Sequence, residues 1–316
     1  MADSVYGGIL VVGDPHLEGR VPGFRRDEYP DVILEKLQWC LDYAAANCLL
    51  PAILGDLFHL PRDNPTWMLG RLMDMFDREI VAVYGNHDTA NPVLDEHDSL
   101  TLLVKAGRLR LLTPDRPWRG VMSGRPVVVG GSSYRVPIPD EYAAEPSDTD
   151  DALVVWLTHH DVTVPGYDAG RITPAELPGI DIVVNGHIHR RLDEVGVGST
   201  LWLTPGNITR RSRNEATAEH IPSALRIDVT EAGWAHEQPT IPHSPFEDVF
   251  HDAVVDSAVD ASASAFVAGL GELLARRTDT GAGLTSFLRE HLDEFERDVA
   301  AEILTLAEEV TDSGDQ

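Results

Sequence analysis

The chain has 316 residues, 43% of them hydrophobic, which is enough for one large domain with an appendage or for two domains. A formal charge of −27, from 52 acidic against 25 basic side chains, excludes the broad basic face that usually holds nucleic acid, so an anionic polymer would have to be met locally. The acidity is uneven, because residues 246–316 hold 17 acidic and 4 basic side chains, a net of −13, against −14 on the much longer stretch before them.

The run GGILVVGDPH (7–16) is a short apolar segment bounded by glycines, which predicts a buried strand with Asp14 and His16 at its tip. It is too short for a secretory core or a membrane span, and the expectation is a cytoplasmic protein with no membrane partner. Residues 31–50 repeat apolar positions at a helical period and Pro51 closes them. Cys40 and Cys48 would stand roughly 12 Å apart on that helix, too far for a disulfide. PAILGDLFHL (51–60) predicts a second strand ending in Gly55 and Asp56, with His59 just beyond, and a helix is expected over 65–78. VAVYGNHD (81–88) runs into Asn86, His87 and Asp88, ALVVWLTHHD (152–161) into His159 and His160, and IDIVVNGHIHR (180–190) into His187 and His189. Strands are also expected near 224–229 and 233–238.

Five apolar strands thus deliver Asp, His or Asn at their carboxyl ends, the edge at which ligands bind in open α/β sheets. One such end alone reads as a polar turn; five together argue for a site. Asp-x-His, Gly-Asp, Gly-Asn-His-Asp, a lone histidine and Gly-His-x-His, in that order, resemble the calcineurin-like metallophosphoesterase superfamily over residues 9 to about 210. The fold implied is a four-layer α/β sandwich, two central mixed β-sheets flanked by helices, with a C-terminal helical appendage. The domain division expected is 1–245 for the catalytic body and 246–316 for the acidic helices.

The resemblance implies two divalent ions, with Asp14, His16 and His189 holding the first, Asn86, His159 and His187 the second, and Asp56 bridging both. Manganese suits such mixed carboxylate and imidazole ligands, with iron, zinc and magnesium as alternatives. A water between two ions loses its proton near neutral pH and becomes the nucleophile. In this pattern His87 points past the metals toward the substrate, either as general acid for the leaving oxygen or as a donor to the charge developing on phosphorus. Asp88 either orients the His87 ring or is a turn former. His159 is taken as the ligand because it directly follows the strand, although a one-residue change of register would exchange it for His160.

The superfamily's fold and metals leave the phosphoester unspecified. The histidine three residues after Asp56, in GDLFHLPRDNP (55–65), is similar to that of SbcD-like DNA repair nucleases, including compact phage-type members, and implies that His59 helps place a DNA phosphate. LTPGNITRRSRNEA (203–216) resembles the Pro-Gly-Ser turn of that group with Asn207 in place of serine. Arg20, Arg25, Arg26, Arg62, Arg190, Arg191, Arg210, Arg211 and Arg213 all follow metal motifs. Arg62, Arg190, Arg210 and Arg211 are the expected contacts to substrate phosphates. The alternative is a phosphodiesterase or phosphatase for small molecules with a helical lid.

After the proline-marked stretch 241–250, residues 257–277 and 288–310 carry apolar stripes at helical spacing on acidic segments. Two such helices bury their stripes on each other, on the body or on a partner. The SbcD-like resemblance implies docking to an SMC-type ATPase, and an exposed stripe would otherwise drive homodimerisation.

Overall fold

The computed structural model describes residues 6–23, 25–143, 151–168, 170–213 and 215–251. The chain divides after Asp252 into two units, and all that follows concerns the first. The helices expected over 257–310 lie outside the described residues.

In the first half the elements are β1 (Gly8–Val12), α1 (Tyr29–Ala46), β2 (Leu49–Leu54), α2 (Thr66–Met75), β3 (Val81–Val83), α3 (Ser99–Lys105) and β4 (Arg110–Leu111). There follow β5 (Trp118–Met122), β6 (Arg125–Ser132), β7 (Leu153–Thr158), β8 (Ile182–Asn185), β9 (Val195–Val197) and β10 (Thr200–Leu203). The described chain ends with α4 (Glu215–Glu219), β11 (Leu225–Thr230), β12 (Gly233–Glu237) and α5 (Phe246–Val249).

The strands form two six-stranded sheets, ordered β12-β11-β1-β2-β3-β4 and β5-β6-β7-β8-β10-β9. Both are mixed. β1 to β4 run parallel, with β11 antiparallel on β1, and β6, β7, β8 and β10 run parallel, with β5 and β9 antiparallel at the edges.

The alternation of side chains along β1 explains why its sequence is apolar throughout: Ile9 and Val11 enter the layer between the sheets, while Leu10 and Val12 enter the layer under the helices. Between the sheets, Leu50, Ala52 and Leu54 meet Val127, Val129, Val155, Leu157 and Val184. On the outer face of the first sheet, α1 presents Ile33, Leu34, Leu37, Cys40, Leu41 and Ala44, a stripe at steps of three and four. The two mixed sheets with helices packed on the first are those of the expected α/β sandwich. Among the described residues the outer face of the second sheet is covered by irregular chain carrying Val162, Val164, Leu177 and Ile180 around Trp156, and by no helix.

Two boundaries also differ. α1 stops at Ala46 and Cys48 turns the chain with a φ of +53°, so Leu49 and Leu50 already belong to β2. Pro51 therefore lies inside a strand. It precedes the β3 pairing, which begins at Ala52 and Val81, and its missing N–H costs that ladder nothing. Residues 246–250, expected to open the appendage, are bonded to the body: Arg26 donates to the Glu247 and Asp248 carbonyls at 2.6 and 2.9 Å, and the Arg25 guanidinium lies 5.1 Å from the Phe250 ring centre.

Candidate metal centre

Strands β1, β2 and β3 of one sheet and β7 and β8 of the other end at a common edge. Asp14 and His16 follow β1, Asp56 follows β2, Asn86 and His87 follow β3, His159 follows β7, and His187 and His189 follow β8. Four of these residues hold a left-handed backbone: φ is +40° at Asp14, +49° at His16, +44° at Asp56 and +71° at His187. That conformation costs a non-glycine residue of order 1–3 kcal/mol and is stored where the side chain has a task. Two glycines make room for the cluster. A Cβ on Gly85 would stand 2.0 Å from Asp56 Oδ1, and one on Gly55, itself at φ +93°, would stand 2.2 Å from His159 Nδ1. The Gly-Asp and Gly-Asn-His pairings in the sequence are this close approach.

Backbone and side-chain bonds orient each group and leave one atom over. Asp56 Oδ1 accepts the His87 N–H at 2.8 Å, and its Oδ2, buried and without a hydrogen-bond partner, lies 3.2 Å from His159 Nε2 and 3.7 Å from His16 Nε2. Asp14 Oδ1 accepts the His187 N–H at 3.0 Å while Oδ2 has no partner. The Nε2 atoms of His16 and His189 face each other at 2.9 Å. His159 Nδ1 is fixed by the Leu54 carbonyl at 2.8 Å, leaving Nε2 without a hydrogen bond. Asn86 Oδ1 meets His187 Nδ1 at 2.9 Å. Buried polar atoms are otherwise almost always paired, so orphaned oxygens and nitrogens converging from several strands fit cations. Asp14, His16, Asp56 and His189 each offer a ligand atom within 4.8 Å of the others. His187 links Asn86 to His159: its Nδ1 is 2.9 Å from Asn86 Oδ1 and its ring centre lies 5.3 Å from that of His159.

Electrostatics agree with that reading. Burial raises the Asp14 carboxyl to about 7, against the opposing pull of His159. Burial would equally raise Asp56, but His159, His87 and His16 hold it well below the usual carboxylate range. Burial alone would lower His159, yet Asp56 and Asp14 push it up to about 10, so without a cation the proton of His159 neutralises the carboxylates. Burial, reinforced by His189, keeps His16 well below its ordinary value and hence neutral.

Several expectations are refined or corrected. His159 is the residue beside Asp56, whereas His160 turns away and its Nε2 meets the Val136 carbonyl at 2.9 Å. Asp88 does not orient the His87 ring. Its two oxygens accept the N–H groups of Phe58 and Gly85 at 3.0 and 2.9 Å, tying the loop after β2 to the loop after β3. The His87 ring is held instead by the His59 carbonyl, 2.8 Å from Nδ1, which places the proton on Nδ1 and turns Nε2 toward the site. The His59 ring stacks on that of His87, centroids 5.0 Å apart.

Of the four expected phosphate contacts, Arg210 is buried and donates to the His220 and Ser244 carbonyls at 2.7 and 3.2 Å. Arg62 pairs with Asp95 and Asp98 at 2.9 and 3.0 Å, Arg211 with Glu18 at 2.9 Å, and Arg190 is bonded to the Gly166 carbonyl. Irregular loops leave carbonyls and carboxylates in need of donors, and guanidinium groups meet that need first. Arg20, Arg191 and Arg213 are exposed.

Sequence reasoning missed three supports. Tyr29 donates to the His16 carbonyl at 3.0 Å, the Asn207 N–H to the His189 carbonyl at 3.1 Å, and Tyr134, after β6, lies 6.5 Å from the His187 ring. The signal for Tyr134 was VVVGGSSYR (127–135), another apolar run ending at this edge.

The chain matches the calcineurin-like phosphoesterase family over residues 8–191 and belongs to it. The protein is therefore a metal-dependent phosphoesterase. Among curated proteins none matches it in sequence. Among solved structures, a hypothetical protein from Thermus thermophilus is similar at 13% identity, over 74% of this chain and 99% of its own, with a TM-score of 0.40. Vacuolar protein sorting 29 from Cryptosporidium parvum is similar at 14% identity, over 74% and 97%, with a TM-score of 0.30. Among the described residues no helix is long and apolar enough to cross a membrane.

Proposed function

We propose that the protein is a two-metal phosphodiesterase acting on DNA, of SbcD-like type. The observation that supports the two-metal part is Asp56 Oδ2, a buried oxygen without a hydrogen-bond partner that lies 3.7 Å from His16 Nε2 and 3.2 Å from His159 Nε2. Asp14, His16 and His189 would hold one ion, Asn86, His159 and His187 the other, with manganese the best match to this mixture of oxygen and nitrogen donors. The bound ions would supply Lewis acidity and a water acidified toward neutral pH. The chain's own part is positioning. His87, held at Nδ1, presents Nε2 to the leaving oxygen as the general acid. The N–H that His87 gives to Asp56 keeps that ring and the shared carboxylate in fixed relation.

DNA as substrate rests on His59, three residues after Asp56 and stacked on His87, as in the SbcD-like pattern. Docking of an SMC-type ATPase through residues 257–310 belongs to the same proposal. A second reading, a phosphodiesterase for small esters, is favoured by the engagement of Arg62, Arg210 and Arg211 with the protein itself and by the charge of −27. Manganese-loaded protein offered linear DNA, closed circular DNA and bis-p-nitrophenyl phosphate separates them. Degradation of DNA is expected, and turnover of the small ester with both DNAs intact would sink the nuclease.

A further inference from the structure

His16, His59 and His87 form a cluster that hydrolysis as described above uses only in part. Each offers one ligand nitrogen within 4.8 Å of the other two. The ring centres are 4.8 Å apart for His16 and His87, 5.0 Å for His59 and His87, and 5.7 Å for His16 and His59. Three imidazoles around a tetrahedral zinc, with bonds of about 2.0–2.1 Å, bring their nitrogens to about 3.3 Å and their ring centres to about 5 Å. The ring-centre spacing of the trio is thus close to that around a zinc ion. Both His16 and His59 are buried with an Nδ1 that has no hydrogen-bond partner. His87 has its Nδ1 satisfied by the His59 carbonyl, which leaves Nε2 for a ligand.

We infer that His16, His59 and His87 form an alternative cation position, selective for zinc, whose occupation switches phosphoester hydrolysis off. Its selectivity follows from the donors. All three are nitrogens, which favour zinc over manganese, whereas Asp14, His16, Asp56 and His189 include two carboxylates. His16 belongs to both groups, and a neutral imidazole has a single lone pair to give, so His16 serves one ion at a time. Zinc on the trio takes His16 from the hydrolytic set and ties down the ring that faces the leaving oxygen. His59 lies outside both ligand sets assigned to hydrolysis, and the zinc position would give it a second task beside placing a DNA phosphate. The inhibition, though not the zinc site, rests on the function proposed above.

The test compares the full-length protein with His59→Asn and His59→Gln, each first checked for an unchanged melting temperature. Zinc uptake at saturating manganese, followed by competition with a chromogenic chelator, should weaken at least about tenfold in the variants. X-ray absorption of the zinc bound by the unaltered protein should report three nitrogen neighbours. The zinc concentration that halves hydrolysis of bis-p-nitrophenyl phosphate should rise by a similar factor. Equal zinc affinity in all three proteins, or a zinc shell rich in carboxylate oxygen, would overturn the proposal. If manganese-loaded protein hydrolyses no phosphoester at all, the proposed function fails, and the affinity and absorption measurements still decide the zinc site. If both variants unfold, the absorption spectrum of the unaltered protein decides it alone.

Discussion

The strand ends and the loops that leave them lie side by side, yet they spend their polar groups in opposite ways. At the strand ends, Asp14, Asp56 and His159 are each fixed by one bond to backbone and keep one buried atom without a hydrogen-bond partner. In the loops, Arg25, Arg62, Arg210 and Arg211 have guanidinium donors engaged with carbonyls or carboxylates of the same chain. Residue type alone would have placed both sets in the active site. What separates them is satisfaction: a side chain with an orphaned buried atom awaits a ligand, and one with its donors engaged is holding the fold.

Substitution at the shared carboxylate breaks the comparison most severely. Asp56→Asn keeps the shape and replaces the oxygen that the proposed arrangement shares between two ions, so metal content and hydrolysis should fall together, activity by at least about 10³. Metal analysis of the purified variant checks this, and two ions still bound would show that the bridge lies elsewhere. His87→Ala should leave manganese content as it was and slow the chemical step by roughly 10²–10⁴, the range of a positioned acid. Loss of manganese in that variant would make His87 a ligand of the hydrolytic ions.

Acidity tests the same orphaned atoms in another way. In the metal-free protein His159 is raised to about 10 and Asp14 to about 7, so below those values each holds a proton that a cation must displace. Metal affinity therefore rises with pH, most steeply where both groups hold protons and less steeply once only His159 does. Calorimetry in buffers of different ionisation enthalpy counts the protons released. A metal affinity that does not change from pH 6 to 9 would mean that neither group meets the ion.

How much of this was legible follows from how local each cause is. An apolar run ending in Asp, His or Asn is a local pattern, and β1, β2, β3, β7 and β8 each carry one, so the metal edge could be read from the sequence. The end of α1 was misplaced because Pro51 reads as a stop, while the turn is made three residues earlier by Cys48 at positive φ. Asp88 shows a subtler limit. Its neighbour in sequence is His87, but its bonds go to Gly85 and to Phe58, thirty positions away, and burial together with Asp56 raises it to about 7. Most of the arginines were not legible, because groups that engage them lie far off in the chain: Ser244 for Arg210, Glu247 for Arg26, Glu18 for Arg211. β6 was overlooked since Gly-Gly-Ser-Ser carries no ligand type, although the strand reaches the same edge.

The smallest expected effect sharpens the contrast within the arginines themselves. Arg210 is buried beneath the metal edge, its Nε and Nη1 on two carbonyls, and its own carbonyl accepts from Arg25. Arg210→Ala leaves those two carbonyls without their donor and should cost about 1–3 kcal/mol of stability, seen as a lower melting temperature. Its effect on DNA affinity should not depend on salt. Arg190 is exposed on the loop after His189 and is bonded to the Gly166 carbonyl. Arg190→Ala should leave the stability within about 0.5 kcal/mol of the unaltered protein. If this loop meets a phosphate, the same change lowers the slope of log affinity against log salt by about one. The reverse outcome, a reduced salt slope for Arg210→Ala with stability intact, would mean that buried donors on this edge leave their carbonyls for substrate, and that satisfaction in the free protein does not separate structural from functional arginines.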